Sequence, residues 1–175
     1  PNEKELINGL TPLFYAVVQE HQAIVEFLLA QPHCDAQVID ESGRTVLHTA
    51  AQRNRLSVVK LLKEKYNCSC ATQDFELSTP LHAAAFVGNL EVVKYLASQP
   101  EVVPDVRDLQ GRTALHFAAQ AGYMNVIKFL VEEMKCDAFL QDEAHGVTPL
   151  HLAANNAHLG IVKFLCSLDT TKSDQ

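Results

Sequence analysis

The chain lacks a long hydrophobic run. No stretch of its 175 residues approaches the roughly 18 uninterrupted apolar residues that a membrane-spanning helix needs, so we expect no direct membrane insertion. The N-terminus also lacks the basic segment, apolar run and small-residue cleavage site of a secretory signal peptide. The chain begins with Pro1 instead of methionine, and we therefore expect it to be part of a longer protein.

Positive charge is in short supply. The 14 lysines and arginines are outnumbered by 21 aspartates and glutamates, which gives a net charge of −7 and a sequence pI near 5.5. Proteins that bind nucleic acids or anionic membranes through their overall charge are usually basic. We therefore expect no nucleic acid as a partner, although a local basic patch is compatible with this composition.

Sequence motifs of enzymes and metal sites are missing as well. The chain has no C-x-x-C pair, H-E-x-x-H helix, G-x-x-x-x-G-K loop or G-x-S-x-G elbow. Cys68 and Cys70 form a single C-x-C without a second pair, which is a weak signal for a metal site. We expect no catalysis, no cofactor and no bound metal in these residues.

The five cysteines are an odd number, which fits a reducing compartment better than a disulfide framework. A cytoplasmic or nuclear location is therefore expected. Cys34, Cys68 and Cys136 each stand six residues before an aspartate, and Val102 holds the same place before Asp108. A position that accepts either Cys or Val is expected to be small, buried and apolar.

What the sequence does contain is a repeated phrase, Thr-Pro-Leu-His or a near copy, which occurs five times. Its threonines are separated by 34, 34, 34 and 35 residues and are Thr11, Thr45, Thr79, Thr113 and Thr148. A fixed period of this size is typical of stacked supersecondary units, none of which can bury its apolar face alone.

The third unit shows the expected local structure. Thr79 is suited to cap a helix whose first residue is Pro80, and Gly88 is suited to end it in a left-handed conformation. A second helix follows, with apolar residues spread over a wide stripe that two neighbours would cover. Alanine pairs keep the first helices thin and the second helices are bulkier, which predicts a row of units that curves toward the first helices.

With these features the chain resembles ankyrin-repeat proteins, whose signature T-P-L-H-x-A it carries in near-complete form. The resemblance implies an all-α solenoid of stacked helix-turn-helix units with β-turn or hairpin loops, here called fingers, between them. The expected array covers residues 1–168, with units at about 5–37, 38–71, 72–105, 106–139 and 140–168, followed by a polar tail at 169–175.

Several residues depart from the family pattern. The first unit has Phe14 in place of His and Glu20 in place of Gly, and the third finger has Leu77 in place of Gly, which leaves the geometry of that turn open. The period exceeds the usual 33 residues, and the glycine that normally closes the second helix is missing. A slightly longer second helix or a wider loop is expected there.

The recurring histidines are His48, His82, His116 and His151. The resemblance implies a structural role for them, with hydrogen bonds inside their own unit and to neighbouring backbone. A shared metal would require ligand atoms about 2 Å from one ion, whereas equivalent residues in adjacent units are separated by about a helix diameter. His21, His145 and His158 lie outside this pattern and are expected to face solvent.

The resemblance also implies that a protein or peptide partner docks on the finger tips and on the concave face of the first helices. Unit three and its neighbour carry large apolar residues at such positions, with Arg44, Arg53, Arg55 and Arg112 around them. This pattern predicts a partner with an apolar anchor and acidic flanks. The candidate partner-binding residues are Arg44, Arg53, Phe75, Glu76, Phe86, Val87, Leu109, Gln110, Arg112 and Gln120. The alternative for Phe75 is that it folds under the irregular turn at Leu77 and becomes part of the core.

A different function remains open on the sequence alone. The array is also compatible with an architectural segment of a larger enzyme, channel or scaffold protein, or of a secreted pathogen effector. In favour of this alternative, both end units are expected to expose apolar side chains where a terminal unit should be polar. These residues are Leu13, Val17 and Val18 at one end and Ile161, Val162, Phe164 and Leu165 at the other.

Overall fold

The computed structural model describes residues 1–170, which fold into five consecutive helix pairs. The first helices of the pairs are α1 (Pro12–Val18), α3 (Val46–Gln52), α5 (Pro80–Phe86), α7 (Ala114–Ala121) and α9 (Pro149–Asn155). The second helices are α2 (Gln22–Leu29), α4 (Leu56–Glu64), α6 (Leu90–Ala97), α8 (Met124–Lys128) and α10 (Leu159–Thr170). Apart from an isolated bridge between Ile39 and Thr45, residues 1–170 contain no β-structure. The predicted all-α solenoid is confirmed.

A threonine in extended conformation precedes each first helix, and a histidine in the first turn completes the cap in units two to five. In unit two the Thr45 N–H donates to His48 Nδ1 at 3.1 Å. Because Nδ1 accepts this bond, the ring proton is on Nε2, which donates to the Ser78 carbonyl at 3.1 Å. In unit one Phe14 stands in place of the histidine, and the buried Thr11 Oγ1 has no hydrogen-bond partner among residues 1–170.

Each first helix ends before a residue in the left-handed conformation, whether or not that residue is glycine. Gly88 and Gly122 have φ values of 74° and 89°, and the equivalent Glu20, Asn54 and Ala157 have 62°, 57° and 60°. The residue that follows this position in the next unit contacts the end of the helix. His158, for example, places Nε2 3.1 Å from the Gln120 carbonyl. The expectation that His158 faces solvent is therefore wrong, because its ring is half-buried over Gly122.

The second helices end without glycine. Asn67 and Lys135 take the left-handed conformation with φ values of 50° and 60°, and the next residue donates its N–H back to the helix, from Cys68 to Leu62 and from Cys136 to Leu130, at 3.0 Å in both cases. In unit four α8 also widens into a π-helical turn, Phe129–Glu133, which accommodates a longer second helix. Cys68 and Cys136 are buried, and Cys34 is half-buried.

The first helices pack closely against one another along the row, whereas the second helices of neighbouring units make few contacts. Alanine makes this approach possible, since both members of the pairs at 50–51, 84–85 and 118–119 are fully buried. Because the units are closer on the side of the first helices, the row bends toward them. The first helices and the fingers thus line the concave face.

The end units differ from the expectation. Leu13 and Val17 are 1% and 0% exposed, and Ile161 and Leu165 are both 2% exposed, because these side chains face their neighbouring unit instead of the outside. Val18, Val162 and Phe164 are half-buried. The outer face of unit one is nevertheless apolar, through Tyr15, Ile24 and Phe27.

The last helix runs to Thr170, so part of the predicted polar tail is helical, and residues 171–175 lie outside the described part of the chain. None of the helices described is both long and apolar enough to span a bilayer.

Candidate binding surface

Three consecutive fingers share one hydrogen-bonded turn. In residues 40–44, Asp40 Oδ1 accepts the N–H groups of Ser42 and Arg44, each at 2.9 Å. Asp74 Oδ1 and Asp108 Oδ1 accept the equivalent pairs in residues 74–78 and 108–112, at distances between 2.8 and 3.0 Å. An aspartate at the start of each finger therefore determines the turn.

The fourth residue of the turn has a positive φ in all three fingers. It is 78° at Gly43 and 79° at Gly111, and it is 58° at Leu77. The geometry that the sequence left open is thus the same turn, with leucine held in a conformation that favours glycine.

The fingers differ in the side chain that closes them. Arg44 Nε donates to Asp40 Oδ2 at 3.0 Å, and Arg112 donates to Asp108 Oδ2 through Nε at 2.9 Å and Nη2 at 2.8 Å. The equivalent residue of the third finger is Ser78. Unit three therefore has the aspartate of its neighbours without their arginine.

A cleft of about 160 Å³ lies on the concave face at this point. Its walls come from the second to fourth fingers and from α3, α5 and α7. The residues that line it are Arg44, His48, Gln52, Asp74, Glu76, Ser78, His82, Ala83, Phe86, Asp108, Arg112 and Phe117. The second to fourth units therefore contribute together to one surface.

Two aromatic rings give this cleft its apolar side. Phe86 packs edge-on against Phe117, with ring centroids 6.0 Å apart, and it is still 45% exposed. The Arg112 guanidinium lies over the Phe117 ring, 4.5 Å from its centroid, while its nitrogens bind Asp108. Phe86 is thus an exposed ring on a rigid support, which is typical of an anchor point for a partner.

The structure brings together only some of the predicted partner-binding residues. Arg44, Glu76, Phe86 and Arg112 line the cleft, whereas Arg53, Val87, Leu109, Gln110, Gln120 and Phe75 do not. Arg55 lies away from the cleft, where it pairs with Glu20 at 2.6 Å.

Phe75 is not part of the core, contrary to the alternative considered from the sequence. It is 67% exposed, and its ring lies against Gly43, where an added Cβ would come within 2.5 Å of it. Phe75 lines a separate cavity with Ile39 and Cys68. It therefore belongs to a different surface from Phe86.

Sequence reasoning missed Phe117 and Asp74. The signal for Phe117 was its place directly after His116, a position that holds Ala83 in unit three and Thr49 in unit two. The signal for Asp74 was the missing arginine four residues later, which a comparison of the fingers would have revealed.

The histidines that floor the cleft are neutral. Burial lowers the pKa of His48 and His82, and also that of His116, because the charged form is poorly solvated inside the stack. His82 Nε2 is 3.1 Å from the Val106 carbonyl and 3.2 Å from the Arg112 carbonyl, so it links unit three to unit four. No group of three or more His, Cys, Asp or Glu in residues 1–170 is placed to hold a metal ion.

The comparison with protein families agrees with this architecture. A family model described as ankyrin repeats (3 copies) matches residues 13–108 and again residues 81–175, which together cover most of the chain. The chain belongs to the ankyrin-repeat family. Among curated proteins, none matches it.

Ankyrin repeats are, as a rule, modules for protein–protein interaction and not for catalysis. This ankyrin array has the family's stacked helix pairs and fingers. It also carries, in its third unit, a finger and a first helix whose surface residues differ from those of both neighbours.

Proposed function

We propose that the concave face of units two to four binds a polypeptide partner, with an apolar side chain of that partner anchored on Phe86. The supporting observation is the exposure of Phe86 in the cleft, at a position that Gln52 and Gln120 hold in the neighbouring units. A large apolar ring among polar equivalents, held from behind by Phe117, favours a contact with another molecule over a role in folding.

The predicted acidic flank of the partner would lie toward Arg44 and Arg53. Arg44 uses Nε for Asp40, which leaves its two terminal nitrogens without a recorded partner among residues 1–170. Arg53 is exposed and has no ion pair within the same residues. Arg44 and Arg112 are both paired with the aspartate of their own finger, but Arg112 donates through two nitrogens and Arg44 through one. Arg44 therefore keeps more donors for a partner, and the positive edge is narrower than the sequence indicated.

The proposal includes no reaction within this array and a cytoplasmic or nuclear location. The family's usual role supports the first part of this proposal, and the free cysteines, which suit a reducing compartment, support the second.

Peptide display on the immobilised array tests the proposal. A selected peptide should lose about tenfold or more in affinity for the Phe86→Ala variant, since truncating a central aromatic anchor commonly costs 1–2 kcal/mol or more, measured by fluorescence anisotropy. Phe27→Ala is the matched control, because Phe27 is 64% exposed on α2 of the first unit, away from the cleft. Equal affinity of both variants for the peptide, with unchanged circular dichroism, would contradict the proposal.

The architectural alternative has one observation in its favour, the apolar outer face of unit one. Tyr15 and Ile24 are both 48% exposed and line a cavity of about 670 Å³ with Leu10 and Pro12. If this alternative is correct, display should give peptides whose binding depends on Ile24 instead of Phe86.

A further inference from the structure

The third finger has a vacant carboxylate oxygen. Asp74 Oδ1 accepts two backbone N–H groups, from Glu76 at 2.9 Å and from Ser78 at 2.8 Å. Asp74 Oδ2 has no hydrogen bond or ion pair recorded within residues 1–170, whereas the same atom of Asp40 and of Asp108 binds an arginine. The cause is the length of the side chain, since Ser78 is too short to reach Asp74 Oδ2 as Arg44 and Arg112 reach their aspartates.

The two neighbouring units show which ligand this oxygen accepts. Asp40 and Asp108 have the same turn and the same backbone partners as Asp74, and both hold a guanidinium group at 2.8–3.0 Å. Of the fingers at 40–44, 74–78 and 108–112, two thus hold an occupied copy of the site and the middle one holds a copy without an occupant. The occupied copies are independent evidence for the chemistry of the missing ligand.

The charge balance of the cleft favours a cation in this position. Arg44 and Arg112 are each compensated by the aspartate of their own finger. Asp74 and Glu76 lie between them and have no ion pair among the described residues. The centre of the cleft therefore carries uncompensated negative charge between two neutralised pairs.

The apolar part of the cleft fits the rest of such a side chain. Phe86 and Phe117 line the same space as Asp74, and Arg112 already shows a guanidinium stacked on Phe117 at 4.5 Å. An arginine stem can pack along an aromatic ring while its head group binds a carboxylate. Ala83, a small residue in the position that Phe117 holds in unit four, leaves room beside Asp74.

We infer that the cleft binds an arginine side chain of the polypeptide partner, with its guanidinium on Asp74 Oδ2 and Glu76. The inference rests on the proposed function and deepens it, since the arginine would stand next to the apolar residue anchored on Phe86. The partner segment would then take the place of the arginine that the third finger lacks.

The variant Ser78→Arg tests this inference by filling the site from within. It gives the third finger the residue of its neighbours, and the backbone groups of residue 78 that bind Asp74 and His48 remain in place. Val147→Arg is the matched control, because Val147 holds the equivalent position of the fifth-unit finger, outside the cleft, and the change in net charge is the same.

The readout is the composition of peptides selected from a random display library on each protein. Wild type and Val147→Arg should enrich peptides with an arginine beside an apolar residue, and Ser78→Arg should lose the arginine preference while keeping the apolar one. For one selected peptide, replacing its arginine by the uncharged citrulline should weaken binding to wild type about tenfold, and binding to Ser78→Arg hardly at all.

Asp74→Asn is a second variant, which supplies an amide oxygen as the acceptor that the turn needs and removes the charge. It should also lose the arginine preference, and it decides the matter if Ser78→Arg does not fold. Selection by wild type of peptides that carry no arginine, or an arginine preference that persists in both variants, would overturn the inference. Either result is compatible with the proposed function as long as Phe86→Ala still abolishes selection, so the two failures are distinguishable.

Discussion

Unit three and its two neighbours have the same backbone and different surfaces. The aspartate turn, the threonine cap and the buried histidine recur in all three units, with turn bonds of 2.8–2.9 Å and cap bonds of 3.1 Å. Positions outside this frame differ, with Leu77 for glycine, Ser78 for arginine and Phe86 for glutamine. The difference shows that a few buried polar groups determine the shape of a unit, while the remaining surface positions are available for binding a partner.

The largest effect is expected from removing the shared frame. His82→Ala should lower the free energy of unfolding by about 2–4 kcal/mol, because it leaves the Thr79 N–H without its acceptor and removes the bonds to unit four. His116→Ala should cost a similar amount in urea denaturation, since unit four uses the same bonds. His151→Ala should cost less than about 1 kcal/mol, because His151 is exposed and its recorded bonds stay within its own unit. An equal loss in all three variants would mean that burial of the frame is not what stabilises the units.

The next largest effect on stability is expected at the left-handed position of the fingers, which holds glycine in units two and four and leucine in unit three. Gly111→Ala should cost about 2 kcal/mol, because its Cβ would lie 2.7 Å from the Glu143 backbone nitrogen at a φ of 79°. Leu77→Gly should stay within about 0.5–1 kcal/mol of the wild type, since relief of the left-handed leucine offsets the greater freedom of glycine in the unfolded chain. Thermal unfolding of both variants measures the two changes in stability. A large loss of stability in Leu77→Gly would show that unit three does not share its neighbours' turn.

Acidification should lower the free energy of unfolding, because several units bury a neutral histidine. The pKa of His82 is lowered by burial from 6.5, so the unfolded chain takes up the proton first as the pH falls. This histidine's contribution is fully present above pH 6.5 and is lost on acidification, at up to about 1.4 kcal/mol per pH unit. The free energy of unfolding should depend less steeply on pH in His82→Ala than in wild type when both are measured from about pH 7.5 to about pH 5, the range in which histidines titrate. Parallel slopes would contradict a neutral buried His82.

The smallest effect concerns the surface of unit three. Ser78→Arg should raise the free energy of unfolding by about 0.5 kcal/mol, because a partly exposed ion pair with Asp74 adds little to stability. Chemical denaturation alongside Val147→Arg would reveal it. A loss of stability in Ser78→Arg would indicate that the third finger cannot hold an arginine as the second and fourth fingers do.

Much of the fold was predictable because the patterns that determine it are local. The spacing of threonine and histidine within one helical turn, and the period of the phrase, are enough to place each helix and the order of the units. The resemblance implied that the recurring histidines bond to neighbouring backbone, and the structure identifies the partners of His82 as two carbonyls of the next unit.

The surface was less predictable because it depends on the direction in which side chains leave the backbone. Phe75 and Phe86 are close in sequence, yet the finger directs one to Gly43 and the helix directs the other to Phe117. Leu13 and Ile161 were expected on the outside, and only the stacking direction shows that they face their neighbours. The sequence alone did not show whether Arg44 and Arg112 are free to bind a partner, because their pairing with Asp40 and Asp108 depends on the conformation of the fingers.

The central claim is that a partner binds where unit three departs from its neighbours. The most direct test is an NMR titration of the array with a display-selected peptide, in which the backbone amide shifts of all units are followed. We predict that the largest shifts occur at Glu76, Ser78, Phe86 and Phe117, with small changes along α2, α4 and α6. Shifts concentrated on the outer face of unit one or on the second helices, with the third finger unchanged, would contradict the account.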